Sequence, residues 1–393
     1  MALIPDSLSP KNLGDLLRQA RENARITQAA AAALLDVART TVVAMEQGQR
    51  RPRVDELQKL AVFYGLSLNE LLRQDSVRVD LRPRFRQTGE QNDRLQAAVD
   101  LLNHLVQAEV ELEDVLGIQR TRLDPPERPL LPGNVGSQAE QDAAELRLWL
   151  GLGLAPVHDI VSLLELQLGA RVYIRKLDPK ISGLYAFDER AGACILLNAD
   201  HPRERRTQSG AHELGHFIST RHAPDTLHDG TLESTREERY ANTFARCFLT
   251  PARAVHVKFQ ELTAGASKLT RRHIILLAHI FGVSREAMVR RLEELGLAKP
   301  GTWDWFVHQG GITDAQAREV LGDLILPDDA KIDARRQISM RMGVMASESW
   351  RQALLSEGQI ARLLHIDRVD ARALIDEFEA EGAETDGSRS FSA

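Results

Sequence analysis

The sequence is short of three things. Cysteine occurs twice in 393 residues, as Cys194 and Cys247, so no disulfide framework is on offer, which agrees with a reducing compartment. Apolar runs are brief: none reaches the roughly 18 residues that a membrane-spanning helix needs. Met1 to Gln19 also lacks the basic start and apolar middle of a signal peptide. The expectation is a cytoplasmic protein with no membrane partner. A positive net charge is missing as well: the balance is −6, which argues against a nonspecific nucleic-acid coat.

The charge is unevenly spread, however. Residues 1 to 88 hold 14 Lys+Arg against 10 Asp+Glu, a balance of +4, which leaves −10 on the remainder. The basic end is the candidate for nucleic-acid contact. The chain is too long for one ordinary core and is expected to form two or three domains. Its 43% hydrophobic and 27% charged residues are those of a folded protein.

From Leu13 to Leu72 the apolar residues keep helical spacing in short bursts broken by turn signals. Leu13, Leu16, Leu17 and Ala20 form one stripe. Thr27 caps a second helix, Asp36-Val37 makes a turn, and a third helix runs from Ala38 to Gln47 before Gly48. Leu57, Leu60, Ala61 and Tyr64 mark a fourth helix, and Ser67 to Leu72 a short fifth. With Arg21, Thr27-Gln28, Arg39-Thr40-Thr41, Glu46-Gln47-Gly48 and Arg51-Pro52, this pattern resembles the Xre/lambda-repressor class of helix-turn-helix domain. The resemblance implies that Arg39, Thr40 and Thr41 read bases of a double-stranded operator, while Gln28 and Arg51 hold its backbone. Asp36 stands where a turn glycine is usual, and Asp tolerates the left-handed conformation.

Four arginines, Arg78, Arg82, Arg84 and Arg86, then form a basic connector. Leu95, Val99, Leu102 and Val106 predict an amphipathic helix over 90–116, which would pair with another subunit or fold back on its own domain. Residues 124–136, with four prolines and two glycines, read as a linker. Ser137 and Glu140 have capping-box spacing, so helices are expected over 138–150 and 156–168. Strands are expected over 170–176, 183–187 and 193–198.

A helix carrying Gly210-Ala-His212-Glu213-Leu-Gly-His216-Phe follows directly. Residues i and i+4 on a helix lie about 40° apart around the axis and about 6 Å along it. His212 and His216 can therefore aim two imidazoles at one ion, and Glu213, one residue round, can reach a water without being a ligand. A catalytic zinc needs a third protein ligand and an open position. The next strong helix, Glu233 to Leu249, offers the acidic pair Glu237 and Glu238 ahead of its apolar stripe Tyr240, Ala241, Phe244, Ala245 and Phe248.

The run Arg206 to Phe217, the segment Glu238-Arg-Tyr-Ala-Asn242-Thr-Phe-Ala245, Leu249-Thr-Pro251 and the strand Ile195 to Asn198 resemble the ImmA/IrrE family of gluzincin-like metallopeptidases. The resemblance implies Glu238 as third ligand, with Glu237 the alternative, and Asn242 as hydrogen-bond partner of a ligand histidine. It implies Zn2+, or another divalent metal such as Mn2+. The ion would acidify a water and polarise a scissile carbonyl, with Glu213 as base. Tyr185, His222 and Tyr240 are weighed as oxyanion stabilisers against structural roles. The remaining histidines read as solvated or packed, His201, His222 and His228 lying in loops. Thr250 replaces a usual methionine.

The expected fold is α+β, mostly α. It comprises a five-helix N-terminal domain over 1–75, the connector, amphipathic helix and linker over 76–136, a gluzincin-like domain with a small sheet over 137–300, and a helical module over 301–393. Within the last, Glu357 to Glu379 imitates helix-turn-helix spacing, as a second DNA reader or a dimerisation or sensing module. Taken with the resemblances, the expectation is a homodimeric DNA-binding regulator with a zinc endopeptidase domain. It would cleave a repressor, an Xre-type partner or itself, in a stress, phage-defence or mobile-element response. The alternative is an Xre-family transcription factor whose peptidase-like domain senses without cleaving.

Overall fold

A computed structural model describes residues 10–65, 81, 85–87, 93–222, 225–227, 235–322 and 338–382. The chain divides into two units, Met1–Arg78 and Val79–Ala393. The fifth helix expected at Ser67 to Leu72, Arg78, Arg82, Arg84 and His228 lie outside the described residues, and of Arg86 only the backbone is described.

In the first unit four helices, α1 (Pro10–Asn23), α2 (Gln28–Leu35), α3 (Arg39–Glu46) and α4 (Val54–Phe63), close on Leu13, Leu17, Ala31, Val42, Met45, Leu57 and Leu60. α2 starts where the Thr27 hydroxyl accepts the Ala30 N–H and stops at Asp36, whose φ of 53° and ψ of 47° are left-handed. A carboxylate side chain thus does the work expected of a turn glycine. Arg21 on α1 grips Glu46 on α3 through two bonds, Nε to Oε1 at 2.6 Å and Nη2 to Oε2 at 3.1 Å. The paired geometry satisfies charges that would be costly to bury singly. α1 approaches the end of α3 so closely that a Cβ on Gly14 would lie 2.6 Å from the carbonyl oxygens of Met45 and Glu46.

The second unit is organised by a sheet. β1 (Phe85–Gln87) and β5 (Asp225–Leu227) form a short parallel pair apart from it. β2 (Arg171–Arg175), β3 (Gly183–Asp188) and β4 (Gly192–Asn198) form the sheet in the order β2-β4-β3, with β2 parallel and β3 antiparallel to β4. β4 is buried along its whole length. Because successive side chains point to opposite faces, Ala193, Ile195 and Leu197 join one core while Cys194 and Leu196 join another.

The first core is covered by α6 (Val135–Trp149), α7 (Arg203–Ser219) and α8 (Arg236–Leu249). α9 (Ala252–Thr263), α10 (Arg271–Phe281), α11 (Arg285–Glu294), α12 (Thr302–His308) and α13 (Asp314–Leu321) extend it. The second core joins α5 (Asp93–Leu116) to α14 (Met340–Arg351), α15 (Glu357–Leu364) and α16 (Arg368–Gly382). The amphipathic helix therefore folds back on its own unit, with Leu102, Leu105 and Val106 fully buried.

Buried charges tie this second layer to the sheet. Arg171 of β2 meets Glu113 at 2.6 Å and Glu109 at 3.2 Å, Arg341 of α14 meets Glu113 at 3.0 Å, and Arg120 pairs with Glu109. The Tyr173 hydroxyl donates to Glu109 at 2.6 Å. Burial alone would raise the Glu109 carboxyl, but Arg171 and Arg120 outweigh it and hold it below the usual carboxylate range.

Three local expectations change. Asn134, not Ser137, starts α6, because its side-chain oxygen accepts both the Gly136 and Ser137 N–H groups. The helix expected over 156–168 is one turn at Ile160–Ser162, capped by Asp159, running into a π-turn at Leu163–Gln167. The proline-rich stretch read as a linker is a pinned strap. The Arg128 N–H donates to the Ile218 carbonyl at 2.6 Å, Gln138 donates to the Pro129 carbonyl at 2.9 Å, and Arg221 donates to the Pro125 carbonyl. Proline lacks an N–H but keeps its carbonyl, so side chains from the neighbouring helices can hold such a segment.

Candidate metal centre

The centre is set by how closely two helices cross. Gly215 of α7 would place a Cβ 3.0 Å from the Ala241 Cα of α8. Any larger residue there would push the helices apart by at least a few tenths of an ångström. Gly215 lies between His212 and His216, and Ala241 between Glu238 and Asn242, so the crossing brings these four side chains face to face. α8 is held in rotation by Tyr240, whose hydroxyl donates to Asp142 of α6 at 2.8 Å, and by the stacked, fully buried rings of Phe244 and Phe248. α7 is anchored through Ala211, Leu214, Phe217 and Ile218.

The Nε2 atoms of His212 and His216 lie 3.1 Å apart. Glu238 turns one oxygen to each, Oε2 at 3.4 Å from His212 and Oε1 at 3.3 Å from His216. The facing imidazoles of His212 and then His216 hold the Glu238 carboxyl far below the usual carboxylate range. The far ring nitrogens are also engaged, His212 Nδ1 by Asn242 Oδ1 at 3.1 Å and His216 Nδ1 by Thr220 Oγ1 at 3.3 Å. Both rings thereby turn Nε2 toward each other and toward a carboxylate. A cation placed among these groups would make that arrangement favourable. A tetrahedral ion with bonds of about 2.0 to 2.1 Å has ligand–ligand edges of roughly 3.3 to 3.4 Å, so the donor set fits a zinc-like ion.

Glu213 is buried beside this group, and its carboxylate, with the two histidines, offers ligand atoms within 4.8 Å of one another. It has room because the first residue of β3 is Gly183: a Cβ there would lie 2.6 Å from Glu213 Oε1. Glu237 is exposed and is not brought into the group. Of the other candidates, Tyr185 is buried with its ring 6.5 Å from that of His216. His222 contacts Glu127 at 3.0 Å and sets its ring edge on Phe187. Tyr240 is committed to Asp142. His201, expected to be solvated, is buried and bonds the Pro179 carbonyl at 3.1 Å. No motif in the sequence marks Gly183 or Thr220, although Thr220 follows His216 at helical spacing.

In the first unit Arg39 and Thr40 are exposed on the first turn of α3, with Thr41 half-buried, and Arg51 is exposed between α3 and α4. Gln28 is brought to Arg39: its Oε1 accepts from Arg39 Nη2 at 3.2 Å while its Nε2 donates to Glu46 at 2.9 Å.

The choice between the acidic neighbours has a direct check. Glu238→Gln is expected to weaken zinc binding, measured by competition with a chromophoric chelator, by on the order of 100-fold or more, since a ligand should matter at least as much as a supporting residue. Glu237→Gln should stay within about twofold of the parent chain. The reverse order would move the third ligand.

Comparison with known families follows the same division. Residues 166–293 match the IrrE N-terminal-like domain, a peptidase family, and residues 12–74 match a helix-turn-helix domain. No curated protein matches the sequence. Among solved structures, the crystal structure of ComR from Streptococcus suis aligns over 95% of each chain at 10% identity, but with a TM-score of 0.16 the likeness carries no argument. The chain joins an N-terminal helix-turn-helix domain to an IrrE-like peptidase domain, as the two resemblances in its sequence imply.

Proposed function

We propose that the protein is a DNA-binding transcription regulator whose peptidase domain is a divalent-metal endopeptidase, with zinc the first choice and manganese the second. Its substrate is a repressor, an Xre-type partner or a second copy of itself, cleaved in a stress, phage-defence or mobile-element response. The observation that supports it best is the convergence of two Nε2 atoms and both Glu238 oxygens within 3.4 Å, with a buried Glu213 alongside. A regulator that merely bound metal would have no use for that extra carboxylate.

His212, His216 and Glu238 would hold the ion, which when bound polarises a scissile carbonyl and makes water acidic near neutral pH. Glu213 then takes the proton of the attacking water and passes it to the leaving amine nitrogen. Gly183 leaves the space in which that carboxylate sits. On the DNA side, Arg39, steadied by Gln28, presents its guanidinium from the start of α3, where such helices meet base edges, and Arg51 supplies charge to phosphate. A homodimer on a two-fold operator in the cytoplasm suits this arrangement. Among the described residues no single helix is long and apolar enough to cross a membrane.

A cleavage assay and three variants check this account. The zinc-loaded chain is incubated with its own copies and with a small Xre-type repressor encoded beside it, and fragments are read by mass spectrometry. Glu213→Gln should keep metal and DNA binding but lose cleavage by about 100-fold or more, the upper range of what a general base supplies. If target-gene regulation in cells is unchanged by it, the domain is a non-cleaving sensor. Gly183→Ala should keep zinc affinity yet cost on the order of 100-fold in turnover, as displacement of a catalytic group by about 1 Å does. Arg39→Ala should weaken operator binding by about 1–3 kcal/mol in fluorescence anisotropy at fixed salt; an unchanged affinity would remove α3 as the reader.

A further inference from the structure

We infer that Thr220, the residue at which α7 ends, is a positioning residue for the metal centre: it fixes which nitrogen of His216 faces the ion. The inference rests on the metal site proposed above. The Thr220 N–H donates to the His216 carbonyl at 2.9 Å, so the backbone places its side chain back under the ring one turn earlier. Its Oγ1 then lies 3.3 Å from that same carbonyl oxygen and 3.3 Å from His216 Nδ1.

A hydroxyl carries one proton and two lone pairs. The carbonyl can only accept, so the Thr220 proton goes to it, and the hydroxyl is left with lone pairs for Nδ1. A ring nitrogen that carries N–H completes that contact by donating to those lone pairs. A neutral imidazole protonated at Nδ1 has its free lone pair on Nε2, the atom 3.1 Å from His212 Nε2 and 3.3 Å from Glu238 Oε1. Asn242 Oδ1 does the same for His212 from the other helix. The two ligand rings are therefore set by separate devices, one reaching across from α8 and one built into the C-terminal cap of α7 itself. His216 is nearly buried, whereas His212 is more open, and a local hydroxyl needs no room beyond the helix end.

Thr220→Val keeps the branched shape and removes the acceptor. In the full-length chain it should lower zinc affinity by about 10- to 100-fold, the range for groups that support a ligand. Thr220→Ser, which restores the hydroxyl, should return it to within about threefold. Thr220→Ala serves in place of the valine variant should the latter not fold. In nitrogen-15 correlation spectra of the zinc-loaded chain, the His216 Nδ1–H signal should shift in Thr220→Val, which removes its acceptor, and keep its parent position in Thr220→Ser. A merely structural cap would leave that ring signal unmoved. Zinc affinity of Thr220→Val and Thr220→Ala within twofold of the parent chain, or an unmoved His216 Nδ1–H signal in Thr220→Val, overturns the assignment while leaving the metal site standing. Failure of the parent chain to take up one equivalent of zinc sinks both.

Discussion

The near-contact of α7 and α8 at Gly215 and Ala241 is the constraint from which the rest of the centre follows. Metal ligands on different helices must meet within a few tenths of an ångström, and helix axes held 8–10 Å apart by ordinary side chains leave little such tolerance. Here the spacer is a missing side chain on one helix and a methyl group on the other. The four polar residues flanking the crossing then have one way to face. Tyr240 and the Phe244–Phe248 stack keep α8 from rolling about its axis, so the same contacts that bury the core also aim Glu238 and Asn242. Stability and chemistry share those residues.

The sheet separates two kinds of packing. On the side of the centre an apolar core extends as far as Ile312, and the arginines buried in it are met by backbone carbonyls, Arg147 by Phe248 at 2.7 Å and Arg291 by Thr250 at 3.1 Å. On the other side Glu109, Glu113, Arg120, Arg171 and Arg341 bury a charged network among Leu102, Val106 and Leu196. Removing any one partner would leave an uncompensated charge, whereas the full set satisfies itself. The network draws on α5, β2 and α14, so it selects one arrangement of segments far apart in the chain. Its influence extends to Glu165 on the π-turn: burial, and then the nearby negative charge of Glu109, push that carboxyl up to about 7.

What could be read from the sequence is what depends on near neighbours. The fully apolar run of β4 and the alternation of β3 placed the strands to within about two residues, because the period of two is a local property. The spacing of His212, Glu213 and His216 predicted their shared helix for the same reason. Asp36 was legible as a left-handed turn residue. The contacts that crossed the chain were not. Whether α5 would meet a second subunit or its own sheet is not written in its stripe, which suits either. The strap at 124–136 has the composition of a linker, and only Ile218, Gln138 and Arg221 make it otherwise. His201 sits in a loop and is buried by what packs on it. Gly183 is one of 26 glycines until the Glu213 carboxylate is seen against it.

The helix-turn-helix geometry itself occurs at both ends of the chain, which limits what it can signify. Thr27 caps an eight-residue helix that ends at left-handed Asp36, followed by Val37, whose N–H bonds the Ala32 carbonyl. Ser356 caps another eight-residue helix that ends at left-handed His365, with φ 55° and ψ 45°, followed by Ile366, whose N–H bonds the Ala361 carbonyl. The second helix of the first pair opens with exposed Arg39 and Thr40, the arginine steadied by Gln28. The second pair opens on Arg368, Val369 and Asp370, and Arg372 is taken up by Glu357 and Asp376 and lies over the Trp350 ring. Residues 338–382 hold five arginines against eight acidic side chains, a balance that phosphate would repel. At the C-terminal end the helices joined by the turn pack with α14 onto α5. At the N-terminal end, charge and the free first turn of α3 are what point to an operator, and the turn only holds them out.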